Sequence, residues 1–149
     1  MRAVVNAAFC LVLISGWGYH GCSPSQMRIL ILDDNAALAQ ILGVSLRSEG
    51  FVVLVFTCPH EALKHIHEAD VLLTDYHMPG MTGLEVARRA HEQGWRGSLF
   101  IMSGHFSAIS ERIEHPLLRC ILDKPFSPRD LAEILHKSNQ EILPQDTSG

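Results

Sequence analysis

The chain has 149 residues, 47% of them hydrophobic, which is enough to bury one core and too few for two. Its formal net charge of −4, with no basic stripe, leaves out the electrostatic footprint of a nucleic-acid binder. Cys10, Cys22, Cys58 and Cys120 show no CxxC spacing, so they are expected to be small core or surface residues of a reduced protein.

Residues 1–26 differ from the rest. Arg2 is their only charge, and Ala7 to Ile14 is unbroken apolar sequence followed by Ser15, Gly16, Gly18 and Gly21. A short positive start, an apolar middle and a small-residue region describe a weak signal-like segment. Asn6 and the glycines make it too interrupted for a membrane-spanning helix. Gly21-Cys22 resembles a lipoprotein cleavage site, but Tyr19 and His20 stand where small or branched apolar residues belong. An upstream extension, with the domain starting at Met27, is the plainer reading. The domain is expected to need nothing before Met27.

From Met27 the chain alternates short apolar runs with helix-period segments. Arg28–Leu32 predicts a first strand. Leu38, Ile41, Leu42 and Leu46 then predict a helix stopped by Gly50. Phe51–Phe56, β-branched and aromatic, is strand two. Pro59 suits the first turn of a second helix that carries Ala62, Leu63 and Ile66 inward. His60, His65 and His67 on that segment have no metal-ligand spacing and are expected to be solvated. Val71–Thr74 is strand three. Thr82 with Glu85 is a capping-box pattern for helix three, closed by Gly94 and Gly97. Ser98–Met102 is strand four, Ser107–Ile113 a short fourth helix and Leu118–Leu122 strand five. Ser127, Pro128 and Asp130 open a last helix burying Leu131, Ile134 and Leu135. The boundaries drawn are 1–26, 27–140 and a disordered polar tail at 141–149.

Five βα units with right-handed crossovers give an α/β doubly wound, flavodoxin-like parallel sheet of order 2-1-3-4-5. Ligand chemistry in such sheets gathers at the carboxyl ends of the strands. There the sequence delivers Asp33 and Asp34 after strand one, Asp75 after strand three, Ser103 after strand four and Lys124 after strand five. Three carboxylates, a hydroxyl and an ammonium suit a divalent cation and a phosphoryl group.

The motifs are Leu32-Asp33-Asp34-Asn35, Thr74-Asp75-Tyr76-His77-Met78-Pro79-Gly80-Met81-Thr82-Gly83, Ser103-Gly104 and Lys124-Pro125-Phe126. In this order and spacing they make residues 27–137 resemble the receiver domain of two-component response regulators. The resemblance implies that Asp75 is the phospho-acceptor, a carboxylate nucleophile forming an acyl phosphate. It implies a Mg²⁺ ion held by Asp34 with support from Asp33, by Asp75 and by the backbone carbonyl of His77. Charge explains the need for a cation: two carboxylates about 4 Å apart repel by roughly 4 kcal/mol at an effective dielectric near 20. Lys124 would neutralise Asp75 and later a phosphoryl oxygen, to which Ser103 would donate its hydroxyl.

One position departs from the family pattern. Three residues before Lys124, where the family carries Tyr or Phe as a rotating ring, this chain has Ile121. His77 and His105 flank the expected approach of water and could tune dephosphorylation. Beyond the last helix only a short polar tail remains, so the expectation is a stand-alone cytoplasmic receiver acting through protein contacts. Its implied partners are a sensor histidine kinase or histidine phosphotransfer protein and a downstream effector, with no nucleic acid and no membrane. It would be no enzyme beyond Mg²⁺-dependent self-phosphorylation from small donors and slow autodephosphorylation. The alternatives are a pseudo-receiver that is never phosphorylated, and a small aspartyl phosphohydrolase. The second fits poorly, because those enzymes place Asp-x-Asp after strand one and carry a cap.

Overall fold

The computed structural model describes residues 27–109 and 113–142. The leader, the end of the expected fourth helix and residues 143–149 lie outside the described residues.

Five strands, β1 (Arg28–Leu32), β2 (Val52–Phe56), β3 (Val71–Asp75), β4 (Ser98–Ser103) and β5 (Leu118–Asp123), form one sheet in the order β2-β1-β3-β4-β5. Every neighbouring pair is parallel. The helices are α1 (Ala36–Ser48), α2 (Pro59–Lys64), α3 (Gly83–Glu92), α4 (Phe106–Ile109) and α5 (Pro128–Ile142), with a 3₁₀ turn at Ile66–Glu68. The last helix runs two residues past the boundary drawn at 140.

The runs Ile29–Leu32, Val71–Leu73 and Leu99–Met102 of the central strands are apolar because helices cover both faces. Ile29 and Ile31 of β1 pack with Leu42 and Leu46 of α1 and Leu131, Ile134 and Leu135 of α5. Their neighbours Leu30 and Leu32 pack with Ala62 and Leu63 of α2 and Leu84, Val86 and Ala87 of α3. Each such Leu or Ile, taken fully out of water, contributes about 2 kcal/mol to folding before entropy is counted. β2, at the sheet edge, leaves Leu54, Val55 and Phe56 half-buried.

Chain reversals follow local chemistry. Gly50 and Gly94 adopt φ of 97° and 93° just past the caps of α1 and α3, a conformation that glycine enters without Cβ strain. Ser127 Oγ accepts from the Asp130 N–H at 3.0 Å, as the start signal for α5 requires. The Thr82 and Glu85 pattern is only half a capping box. Thr82 Oγ accepts from the Glu85 N–H at 3.2 Å, while the Glu85 carboxylate turns to Arg89 at 3.5 Å.

Two expectations are corrected. Ile41 does not face the core and is 57% exposed. Ala39, Leu42, Gly43 and Leu46 define the buried stripe of α1, and at 100° per residue Ile41 falls roughly 150° from its centre. His65 is exposed as expected, and it also pairs with Glu68 and stacks on Phe56 with centroids 5.1 Å apart. Cys58 is free and exposed, but Cys120 is disulfide-bonded, which corrects the reduced reading at that residue.

Candidate functional site

At the carboxyl edge of the sheet, backbone bonds tie the end of β1 to β2 and the ends of β3 and β5 to β4. The Asp33 N–H donates to Phe56 O at 3.2 Å, Tyr76 N–H to Met102 O at 2.9 Å and Lys124 N–H to Ser103 O at 2.8 Å. These bonds prolong the ladders by one residue past the strands, so the side chains at the edge are carried on fixed backbone. Asp33 Oδ1 also accepts from the Asn35 N–H at 2.9 Å, and Asn35 Oδ1 caps α1 by accepting from the Leu38 N–H at 3.1 Å. The turn from β1 into α1 is thereby set by Asp33 and Asn35.

Lys124 Nζ lies 3.2 Å from Asp33 Oδ2 and 3.2 Å from Asp75 Oδ1, bridging β1 and β3 from the end of β5. One carboxylate oxygen from each of Asp33, Asp34 and Asp75 lies within 4.8 Å of the others. Asp33 and Asp75 are buried, and Asp34 is exposed at the mouth. At that separation each carboxylate pair repels by roughly 3 kcal/mol at an effective dielectric near 20, and one ammonium cannot offset three such charges. The Asp75 carboxyl is accordingly held above its ordinary range. Burial is the first cause; the Lys124 charge and hydrogen bond pull the other way, while Asp33 and Asp34 push it further up.

The donor set fits Mg²⁺. It offers hard anionic oxygens, a surplus of negative charge and an open side at Asp34 that leaves room for water or phosphoryl oxygens. Asp33, Asp34 and Asp75 would hold the ion, and it would supply the positive charge that Lys124 alone does not.

The other expected site residues fall as follows. Ser103 ends β4 and is fully buried; its Oγ accepts from the His105 N–H at 2.9 Å, which leaves its own proton free to donate. His77 is exposed in the turn after β3, its ring edge-on to Tyr76. Ile121 is fully buried beside Ile101 in the core layer under α3 and α4.

Gly83 closes the motif that follows β3, and the structure gives it a specific task. A Cβ there would come within 2.3 Å of the Asp75 carbonyl oxygen and 2.9 Å of Thr74 Cγ2. The Gly83 N–H donates to Tyr76 O at 2.9 Å, so the start of α3 lies directly against the acceptor strand. Gly83→Ala is therefore expected to displace the end of β3, lowering stability by about 1–3 kcal/mol and disturbing Asp75. Denaturant melts check the first effect. A variant as stable as wild type would show that α3 can shift without cost.

Comparison with known proteins matches residues 29–136 to the response regulator receiver domain. Over 65 residues, 42% of the chain, the sequence is 42% identical to the DNA-binding response regulator MtrA of Mycolicibacterium paratuberculosis; that stretch covers 29% of MtrA. The chain thus spans less than a third of that curated relative. A CheY-like receiver domain protein from Methanospirillum hungatei has a TM-score of 0.66 and 26% identity, over 78% of this chain and 95% of that one. The response regulator TrrA of Thermotoga maritima, solved in complex with Mg²⁺-BeF, shares the fold with a TM-score of 0.66 at 23% identity, over 79% and 100% of the two chains. The β2-β1-β3-β4-β5 sheet carries its acidic cluster, Ser103 and Lys124 at one edge, and the family match spans that whole arrangement: the chain belongs to the response regulator receiver domain family of two-component systems.

Proposed function

We propose that this domain accepts a phosphoryl group on Asp75 from a sensor histidine kinase or histidine phosphotransfer protein, and signals through changed protein contacts. The observation that carries the reading is the split environment of the Asp75 carboxylate. Oδ1 is held by Lys124 at 3.2 Å, whereas Oδ2 has no hydrogen bond among the described residues. No buried side-chain oxygen or nitrogen is left without a partner there, so Oδ2 is reached from solvent. We assign Oδ2 as the nucleophile: it forms the new bond to phosphorus as the bond from phosphorus to the donor's leaving group breaks.

The chain's own residues do the rest. Lys124 orients the carboxylate and stays beside it to meet a phosphoryl oxygen. Ser103 has a proton free to donate to another. Asp33, buried and paired with Lys124, holds the lysine over the site. A bound Mg²⁺, with the His77 carbonyl as an additional oxygen ligand, would neutralise the charge of the incoming group. The domain would turn over no external substrate beyond small phospho-donors and its own slow dephosphorylation. No helix among the described residues is long and apolar enough to cross a membrane.

Incubation with acetyl phosphate and Mg²⁺ tests the reading. One phosphoryl mass addition mapping to Asp75 is expected, and it should vanish in excess chelator. A label on any other residue, or one indifferent to the chelator, would sink the proposal.

The site also forecasts where the conformational response goes. Ile121 is packed on all sides and cannot swing as a ring would, while the segment from Gly104 to Ile109 hangs on the Ser103 hydroxyl through His105. Amide chemical-shift changes on binding an acyl-phosphate mimic are expected to be largest in that segment and small at Ile121. The reverse pattern would refute this account of the response.

A further inference from the structure

His77 follows Asp75 by two residues and His105 follows Ser103 by two, so β3 and β4 deliver both rings to the sheet edge that bears the acidic cluster. The two ring centroids are 5.5 Å apart, with planes at 86°. Both residues are exposed, and neither imidazole has a hydrogen bond or ion pair with any described residue. The backbone beneath His105 is anchored at both ends: its N–H donates to Ser103 Oγ at 2.9 Å, and its carbonyl accepts from Ala108 N–H at 3.0 Å. His77 packs T-shaped against Tyr76, with centroids 4.8 Å apart.

A second histidine pair shows what committed rings look like. His91 and His115 also lie 5.5 Å apart, but His115 Nδ1 already accepts from the Leu117 N–H at 3.1 Å. A metal there would have to break that bond. At His77 and His105 it would break none.

The spacing has a meaning in coordination chemistry. Two imidazoles sharing one tetrahedral ion, with each Zn–N bond near 2 Å, have ring centroids about 5 Å apart. We propose that His77 and His105 bind a divalent first-row transition ion, of which Zn²⁺ is the representative, and that the occupied site restricts access to Asp75. Imidazole nitrogens favour such ions, whereas carboxylate oxygens favour Mg²⁺, so the two donor sets at this edge select different metals. With two protein ligands the remaining positions are open to water or to phosphoryl oxygens. The binding step stands on the imidazole geometry alone; its effect on Asp75 rests on the proposed function.

The test is a Zn²⁺ titration of the full chain in saturating Mg²⁺, read by calorimetry and by histidine ring resonances. One zinc per chain at submillimolar concentration is expected, with the His77 and His105 signals shifting together. Affinity should fall by at least roughly tenfold in His77→Ala and in His105→Ala, and should hold in His91→Ala. Both substituted rings are exposed, and thermal melts of the variants show whether the fold is kept. Zinc binding that survives in the double His77→Ala, His105→Ala protein, shifts confined to other histidines, or no binding in that range would overturn the site. In a second arm each protein is labelled by acetyl phosphate with and without zinc. Slowing in wild type and not in the double variant supports the restriction of access, and equal slowing in both overturns it. If wild type fails to label even without zinc, the proposed function falls, and the isotherms still decide the metal site.

Discussion

Asp75→Asn protein is expected to show no phosphoryl mass addition with acetyl phosphate and Mg²⁺ under conditions that label wild type. An amide has no anionic oxygen to attack phosphorus, and no other described carboxylate has the same surroundings. Asp33 spends both oxygens, on the Asn35 N–H and on Lys124, and Asp34 is exposed with no cation in contact among the described residues. The same variant should be slightly more stable than wild type in metal-free buffer. The folded Asp75 carboxyl binds its proton more tightly than the unfolded one, because burial and the neighbouring carboxylates penalise its charge. Stability therefore falls as pH rises from the ordinary aspartate range through the raised folded value, and the penalty is complete above it. Asn removes that penalty, so the advantage of the variant should be present at neutral pH and disappear in acid. Melting curves across pH check the sign. An Asp75→Asn protein that still labels at the wild-type rate would end the assignment of the acceptor.

Lys124→Ala is expected to cost roughly 2 kcal/mol, or about 8 °C in Tm, in metal-free buffer at neutral pH. Removing the ammonium leaves the buried Asp33 and Asp75 facing each other without the cation that sits 3.2 Å from both. The loss should shrink as pH falls, because protonated carboxyls no longer need a partner. Mg²⁺ should raise Tm more in this variant than in wild type, since the ion would meet the same oxygens with no ammonium competing for them. Labelling of Asp75 should remain possible in Mg²⁺, while the shift response in the segment after Ser103 is lost. Wild-type stability in the metal-free variant would mean that the two ion pairs contribute nothing to the fold. A retained shift response would mean that Lys124 does not couple the phosphoryl group to the loop.

Much of this was legible because parallel strands covered on both faces leave few options. Runs such as Ile29-Leu30-Ile31-Leu32 and Val71-Leu72-Leu73 have no polar face to expose, and each ends at a residue that can carry chemistry. Punctuation was equally local: Ser127 and Thr82 cap the helices that their spacing foretold, since a cap is a contact over three residues. Ile41 was misplaced by the same kind of reasoning. Four apolar residues within nine positions allow more than one helix face, and only packing against the sheet selects the stripe through Ala39, Leu42 and Leu46.

The strand–helix alternation, the sheet class and the residues at strand ends follow from the order of amino acids alone, because each depends on periodicity within a few residues. The contacts between those ends come from the folded arrangement of the sheet. Lys124 meets Asp33 across 91 residues of chain and Asp75 across 49; Gly83 leaves no room for a side chain against the Asp75 carbonyl; His77 and His105 come together from two loops. No local propensity encodes such distances. They follow from the register of four parallel strands, in which the long crossovers bring residues far apart in sequence to one edge.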